Sequence, residues 1–380
     1  DVVLRYSNGK ISGDGTLHEP KSGAFVAHVH LEHEIATATG GADIDIKEMP
    51  LLSFGKALQP EALTQYTLGK IADVKGAIGG AGHIRWSPQG VSSDGIFETE
   101  QLDMDALFGP VQGLKGKVVF TDLLGLVTAP HQLLTIESIN PGVEVHYGLV
   151  EYQILPGHLL KVEKGIFPLA GGKLVLDPTI LDMSESAERH LTFHVEGINA
   201  EQFIEKYKFE NIAATGVFDG ELPLIFDRNG GRIEHGQLRV RRAGGTVSYV
   251  GPISKANLGR FSRMAFDALK SVKYNGLTID LNGPLDGEMV TVVHLNGTNQ
   301  TPLKSHSNFI LSQLTGIPFK FNIQIKAPFR SLFNTARTLQ DPSDLVSADL
   351  PKQLKVVDTP PATPNPAPTA VHPPATPVQN

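Results

Sequence analysis

Apolar and polar residues alternate one by one along many short stretches of this chain, and that period of two constrains its fold more than any other feature. In Leu191-Thr192-Phe193-His194-Val195-Glu196 every second residue is apolar. The same holds for Leu277-Thr278-Ile279-Asp280-Leu281 and for Phe319-Lys320-Phe321-Asn322-Ile323-Gln324-Ile325-Lys326. Successive side chains of an extended strand point to opposite faces, so these segments read as strands with one dry and one wet face. That is the pattern of an antiparallel sheet. A helix would spread the same apolar residues around its circumference.

Between the alternating segments lie residues suited to positive φ or tight reversal: Asp94-Gly95, Asn140-Pro141-Gly142, Gly171-Gly172, Asn229-Gly230-Gly231, Gly244-Gly245, Asn282-Gly283-Pro284 and Asn296-Gly297. Hairpins are therefore expected to follow one another. A glycine-centred strand start recurs in Val74-Lys75-Gly76-Ala77-Ile78, Leu114-Lys115-Gly116-Lys117-Val118 and Ala214-Thr215-Gly216-Val217-Phe218. Each copy follows a segment of helical character, at residues 48–57, 103–108 and 199–208. In the third, Asn199 can cap the first turn, Gln202 stands three residues on, and Phe203, Ile204 and Tyr207 form one apolar face. The predicted unit is strand, short helix, glycine-started strand and hairpin, at a spacing too irregular for a solenoid. A longer helix is expected over 254–273, where Leu258, Phe261, Met264, Ala265, Leu269 and Val272 recur at helical spacing, and another over 329–339.

The net charge of -7 gives no electrostatic reason to expect nucleic acid or anionic lipid headgroups as the main partner. The absence of cysteine excludes disulfides and cysteine-ligated zinc. The opening Asp1-Val2-Val3-Leu4-Arg5-Tyr6 reads as a strand already under way, without the regions of a signal peptide, so a fragment of a longer chain or a processed form is expected. No apolar run reaches the roughly 18 residues of a membrane-spanning helix. Three parts are expected: a β-hairpin segment over 1–170, a second β segment with the helices over 171–345, and a Pro-rich disordered tail over 346–380.

Catalytic signatures are sparse. The chain has no Gly-x-Ser-x-Gly elbow, no phosphate-binding loop ending in Gly-Lys-Ser/Thr and no His-Glu-x-x-His helix. The glycines of 76–82 read as a bulged strand. His28, His30 and Glu32 would project from one strand face and could ligate a metal, but a solvated face needs the same residue types. His190 and His194 also share a face, and Arg189 and Glu196 near them suit an ordinary wet surface. Arg239, Arg241 and Arg242 read as charges that protect a strand edge. No enzyme, no metal and no cofactor are expected.

From Gly171 onward the motifs resemble a known family. Gly171-Gly172-Lys173-Leu174, the 191–196 strand leading into the Asn199 helix, and Ala214-Thr215-Gly216 through Leu222-Pro223-Leu224 are similar to the C-terminal part of the YdbH-like proteins. Gly236-Gln237-Leu238, Ala243-Gly244-Gly245-Thr246-Val247-Ser248-Tyr249, the 265–274 segment and Leu295-Asn296-Gly297-Thr298-Asn299-Gln300-Thr301-Pro302 continue the likeness in order. Gly297-Thr298-Asn299-Gln300 departs from the Gly-x-Asn-Pro common in that family. The family belongs to the AsmA-like superfamily of bridge-like lipid transfer proteins. The resemblance implies a long curved antiparallel sheet forming an open apolar groove, and glycerophospholipid movement between the inner and outer membranes of a Gram-negative envelope. It also implies a periplasmic location with an inner-membrane anchor through an N-terminal helix that this chain lacks. A small outer-membrane lipoprotein and a small periplasmic protein are the implied partners, the former by β-augmentation at the C-terminal strand.

The dry faces then supply the groove candidates: Leu191, Phe193 and Val195; Leu222, Leu224 and Phe226; Leu238 and Val240; Leu277, Ile279 and Leu281; Phe319, Phe321, Ile323 and Ile325. Their expected ligand is the acyl chains of bound phospholipid. Two rival readings use the same residues differently. In a compact β-sandwich or surface adhesin the dry faces meet as an ordinary core, and in a metal-dependent enzyme the His28 cluster is the site.

Overall fold

The computed structural model describes residues 2–46, 51–64, 67, 70–106, 109–140, 143–184, 187–209, 212–227, 230–249, 272–299 and 318–328. The expected helix at 329–339 and the tail at 346–380 lie outside these residues. So does the helix expected at 254–273 as far as residue 271, while Val272 and Lys273 open a strand.

Twenty-two strands form one sheet, and every pairing among the described residues is antiparallel. Strands β1 (Val2–Ser7), β2 (Lys10–His18), β3 (Phe25–Glu34) and β4 (Thr39–Asp45) pair in succession. β4 and the short β5 (Leu52–Phe54) lie end to end along one side of β6 (Ile71–Ser87). The ladder continues through β7 (Gly90–Ala106) and β8 (Gly109–Asp122), whose far side takes β9 (Val127–Thr128) and β10 (Gln132–Ile139). Next come β11 (Val145–Leu155) and β12 (Leu159–Leu169), then β13 (Gly172–Leu176) and β14 (Thr179–Asp182), which share the far side of β12. β15 (Arg189–Asn199) pairs with β13 on one side and with β17 (Val217–Asp227) on the other.

Helix α1 (Ala200–Lys206) and β16 (Ile212–Ala214) stand between β15 and β17 in the chain, and β16 pairs with β19 (Gly245–Tyr249). β18 (Gly230–Val240), β20 (Val272–Pro284), β21 (Glu288–Asn299) and β22 (Pro318–Pro328) finish the ladder. β1 and β22 each pair on one side only, so the sheet is not closed into a barrel. At about 4.8 Å per strand its hydrogen-bonded path runs on the order of 80 Å.

The glycine of the recurring strand start has a physical cause at each of its three positions; at Gly116 a Cβ would come within 2.8 Å of the Leu133 carbonyl oxygen. Gly76 and Gly216 take φ of +127° and +125°, conformations that a side chain resists. A Cβ at Gly76 would also come within 2.2 Å of the Gln101 carbonyl oxygen. The ladder slips beside Gly76, so the glycine-rich 76–82 stretch is a bulged strand.

The predicted repeat unit does not hold. Residues 103–106 are the end of β7 rather than a helix, and Leu52–Phe54 within the expected 48–57 helix is β5. Those stretches are short, and pairing with β8 and β6 supplies backbone bonds that a one-turn helix would lack. Among the described residues the third copy follows an α-helix, α1, whereas the first follows a single 3-10 turn, Pro60–Ala62. There the Asn199 Oδ1 accepts from the Gln202 N–H at 3.0 Å, satisfying an otherwise orphaned donor. Asp94-Gly95, Asn282-Gly283 and Asn296-Gly297 are likewise inside strands rather than at turns.

Candidate functional site

Cross-strand register carries one apolar face through the sheet. Leu176 stands opposite Phe193, which stands opposite Leu222; Leu191 faces Leu224, which faces Ile233. Leu238 faces Ile279, Ile279 faces Val293, and Val293 faces Ile323. Leu277, Leu295 and Phe321 form a second such row, and Leu281, Thr291 and Ile325 a third. Because pairing preserves parity, the candidates of β15, β17, β18 and β20, Phe226 included, fall on this face with Ile323 and Ile325.

Coverage of the face differs along its length. Toward the middle, Val111, Ile136, Val145, Phe167 and Val195 form a buried cluster with Phe203 and Tyr207 of the α1 region packed on it. The Tyr207 hydroxyl donates to the Glu144 carbonyl at 2.6 Å, tying the α1 region to the start of β11. Burial, with the Glu144 charge second, raises the Tyr207 phenol above its usual range. Tyr152, on the same face, is pushed up to about 12 by burial alone. Farther on, Val272, Tyr274, Met289 and Leu295 are buried, while Leu238, Leu277, Ile279, Leu281, Ile323 and Ile325 are partly buried. Val143, from the connection before β11, packs with Leu224 and Phe226, so the sheet curls toward its own apolar side.

The opposite face is a lattice of cross-strand ion pairs. Lys10 meets Glu32 at 2.9 Å, Asp14 meets His30 at 2.7 Å, Lys173 meets Glu196 at 2.9 Å, and Asp177 meets His194 at 3.0 Å. Hydrogen bonding to Asp14 raises the His30 imidazole pKa, and the Lys10 bond lowers the Glu32 carboxyl. His30 and Glu32 thus take Asp14 and Lys10 on the neighbouring strand as partners, and lie 3.5 Å from each other. Arg241 grips Asp219 through Nε at 2.7 Å and Nη2 at 2.8 Å, which accounts for one member of the basic run.

A different trio converges. His131 Nδ1 lies 2.6 Å from Glu151 Oε1 and 2.7 Å from Glu163 Oε2, and Lys161 donates to Glu163 Oε1 at 2.7 Å. The ring proton is directed to Glu151, which leaves the buried Glu163 Oε2 with nearby charge but no hydrogen bond. His131, Glu151 and Glu163 offer ligand atoms within 4.8 Å of one another, and His131 and Lys161 supply the compensating charge. Sequence reasoning missed this trio because a bulge between Glu151 and Tyr152 sets its register. It also misplaced Arg189. Parity with Leu191 puts Arg189 on the apolar face, where it is 8% exposed.

Among the described residues no helix is long and apolar enough to cross a membrane. A family model described as "YdbH-like: Intermembrane phospholipid transport protein YdbH" matches residues 6–350. No curated protein and no solved structure matches the chain.

Proposed function

The chain belongs to the YdbH-like family of intermembrane phospholipid transport proteins, and from that premise we propose that its apolar face is a segment of a conduit for glycerophospholipids crossing the periplasm. The observation that carries this reading is the half-buried apolar ladder of β18, β20 and β22, in register and continuous with the face of β15 and β17. Each methylene moved from water onto such a face gains about 0.8 kcal/mol, so an acyl chain is held by continuous burial without any single strong contact. Sliding along the ladder exchanges one equivalent contact for the next. That is transport without chemistry, in keeping with a family of transporters rather than enzymes.

Photo-crosslinkers at Phe193, Leu224, Ile279 and Phe321 should capture phospholipid when the protein is isolated from a Gram-negative host. Lipid-free protein, with a compact particle in solution scattering, would instead establish the closed sandwich. The parent protein is anchored in the inner membrane by a segment preceding this one. β22 presents an edge with no partner strand among the described residues, and a small outer-membrane lipoprotein adds a strand there. A small periplasmic protein completes the assembly. Asn322→Pro should abolish capture of the lipoprotein, and unchanged capture refutes this docking mode.

A further inference from the structure

Two polar groups on the apolar face are buried without a full set of partners, the Thr291 hydroxyl and the Arg189 guanidinium, and only the second is charged. Arg189 opens β15 opposite Phe226, on the same face as Leu191 and Phe193, and is 8% exposed. Nη2 donates to the Ser184 carbonyl at 2.6 Å, whereas Nε is buried without a hydrogen-bond partner. No ion pair reaches it among the described residues. Asp182 is close enough to feel its charge, but that carboxylate accepts from the Ser184 N–H at 2.8 Å. A guanidinium keeps its proton in proteins, and burying it unpaired is strongly unfavourable. Such a residue persists where something else supplies the anion.

Position indicates what the anion is. Arg189 begins its strand, Phe226 is one residue from the end of β17, and Asp182 ends β14, so the three stand where strand ends form the long margin of the face. Inward from them, Leu191, Phe193, Leu222 and Leu224 continue the apolar surface. A molecule that fits has a long apolar body and a negative group at one end. The planar fork of arginine matches two phosphate oxygens at once, and its stem can stay on the apolar face while the head turns outward.

We infer that Arg189 is a headgroup anchor, binding the phosphate of a glycerophospholipid whose acyl chains lie on the Leu191–Leu224 part of the face. This rests on the conduit reading and adds to it a defined station where a headgroup pauses at the margin. Arg189 also makes lipid binding depend on phosphate, which a purely apolar groove would not.

The test loads the 380-residue chain from detergent micelles containing equal amounts of dioleoyl phosphatidylglycerol and dioleoylglycerol, which differ in the phosphate headgroup. Extracted lipid is then quantified by mass spectrometry. Wild type should favour phosphatidylglycerol by about tenfold or more, the size of one charge-assisted contact. Arg189→Met should reduce that preference to near unity while keeping dioleoylglycerol, and Arg189→Lys should restore part of it. A merely structural role for Arg189 would change the loading of both lipids together. Equal preference in wild type and Arg189→Met overturns the anchor and leaves the conduit standing, whereas a wild type that loads neither lipid overturns both. Inorganic phosphate that binds wild type in an Arg189-dependent way, without any preference between the lipids, also overturns the anchor by making the site one for free phosphate.

Discussion

The middle of the sheet and its C-terminal rungs carry the same alternation but bury it differently. From β8 to β15 the apolar face closes on itself: Val111 is 3% exposed, Phe167 5% and Val195 4%, with the α1 region packed over them. From β18 to β22 the same face mixes buried positions, Ile233, Val272, Tyr274, Met289 and Leu295, with partly buried ones, Leu238, Ile279 and Ile323 among them. Alternation therefore decides which side is dry. What covers that side decides whether it becomes a core or a surface for a ligand.

The comparison breaks most directly on stability. Phe167→Ala should cost about 3–5 kcal/mol, because the ring is enclosed and the space cannot refill. Ile279→Ala should cost less, about 1–2 kcal/mol, because that side chain is only partly buried. Urea unfolding of both variants measures the difference, and equal losses would mean that the C-terminal rungs are core like the rest. Asn199→Ala removes the cap that starts α1 and should cost about 1 kcal/mol. If α1 covers the middle as described, the same variant should increase crosslinked lipid at Phe193 and leave Ile279 unchanged. Equal changes at both sites would show that α1 is not what distinguishes the regions.

The smallest effect belongs to the outer face of the middle. The bond to Glu151, with the Glu163 charge second, raises the His131 pKa above its ordinary value of 6.5. A group raised on folding contributes stability that is fully present below the unfolded value and fades as pH climbs through the folded one. The His131 contribution should therefore be lost upward from about pH 6.5, and its exposed ring keeps that loss small. NMR titration should find a His131 midpoint above 6.5, and Glu151→Gln should bring it down. A midpoint that the substitution does not move would remove the staple between the β9–β10 turn and β11.

Much of this was legible in the chain. The strands around Leu191, Leu277 and Phe319 could be read because a period of two is local information. The α1 cap could be read because Asn199 and Gln202 are three residues apart. Arg189 was equally legible by counting in twos from Leu191, but the charged residues around it suggested a wet face. Other features could not be read. Asn296-Gly297 looks like a turn, yet it lies within β21, where a Cβ at residue 297 would come within 2.5 Å of the Lys273 carbonyl oxygen across the ladder. A glycine required by a neighbouring strand and one required by a turn are the same letter.

The amino-acid order by itself determined the all-antiparallel character of the fold and the side of each strand that is dry, since both follow from the alternation of neighbours. Tertiary structure decided the rest. It set the register that joins Leu238, Ile279, Val293 and Ile323 into one row, the bulge that lets Glu163 meet His131, and the packing of Phe203 and Tyr207 over the Val111–Phe167 cluster. Each of these depends on contacts between residues far apart in the chain, where a shift of one position reverses a face and where coverage depends on what lies above.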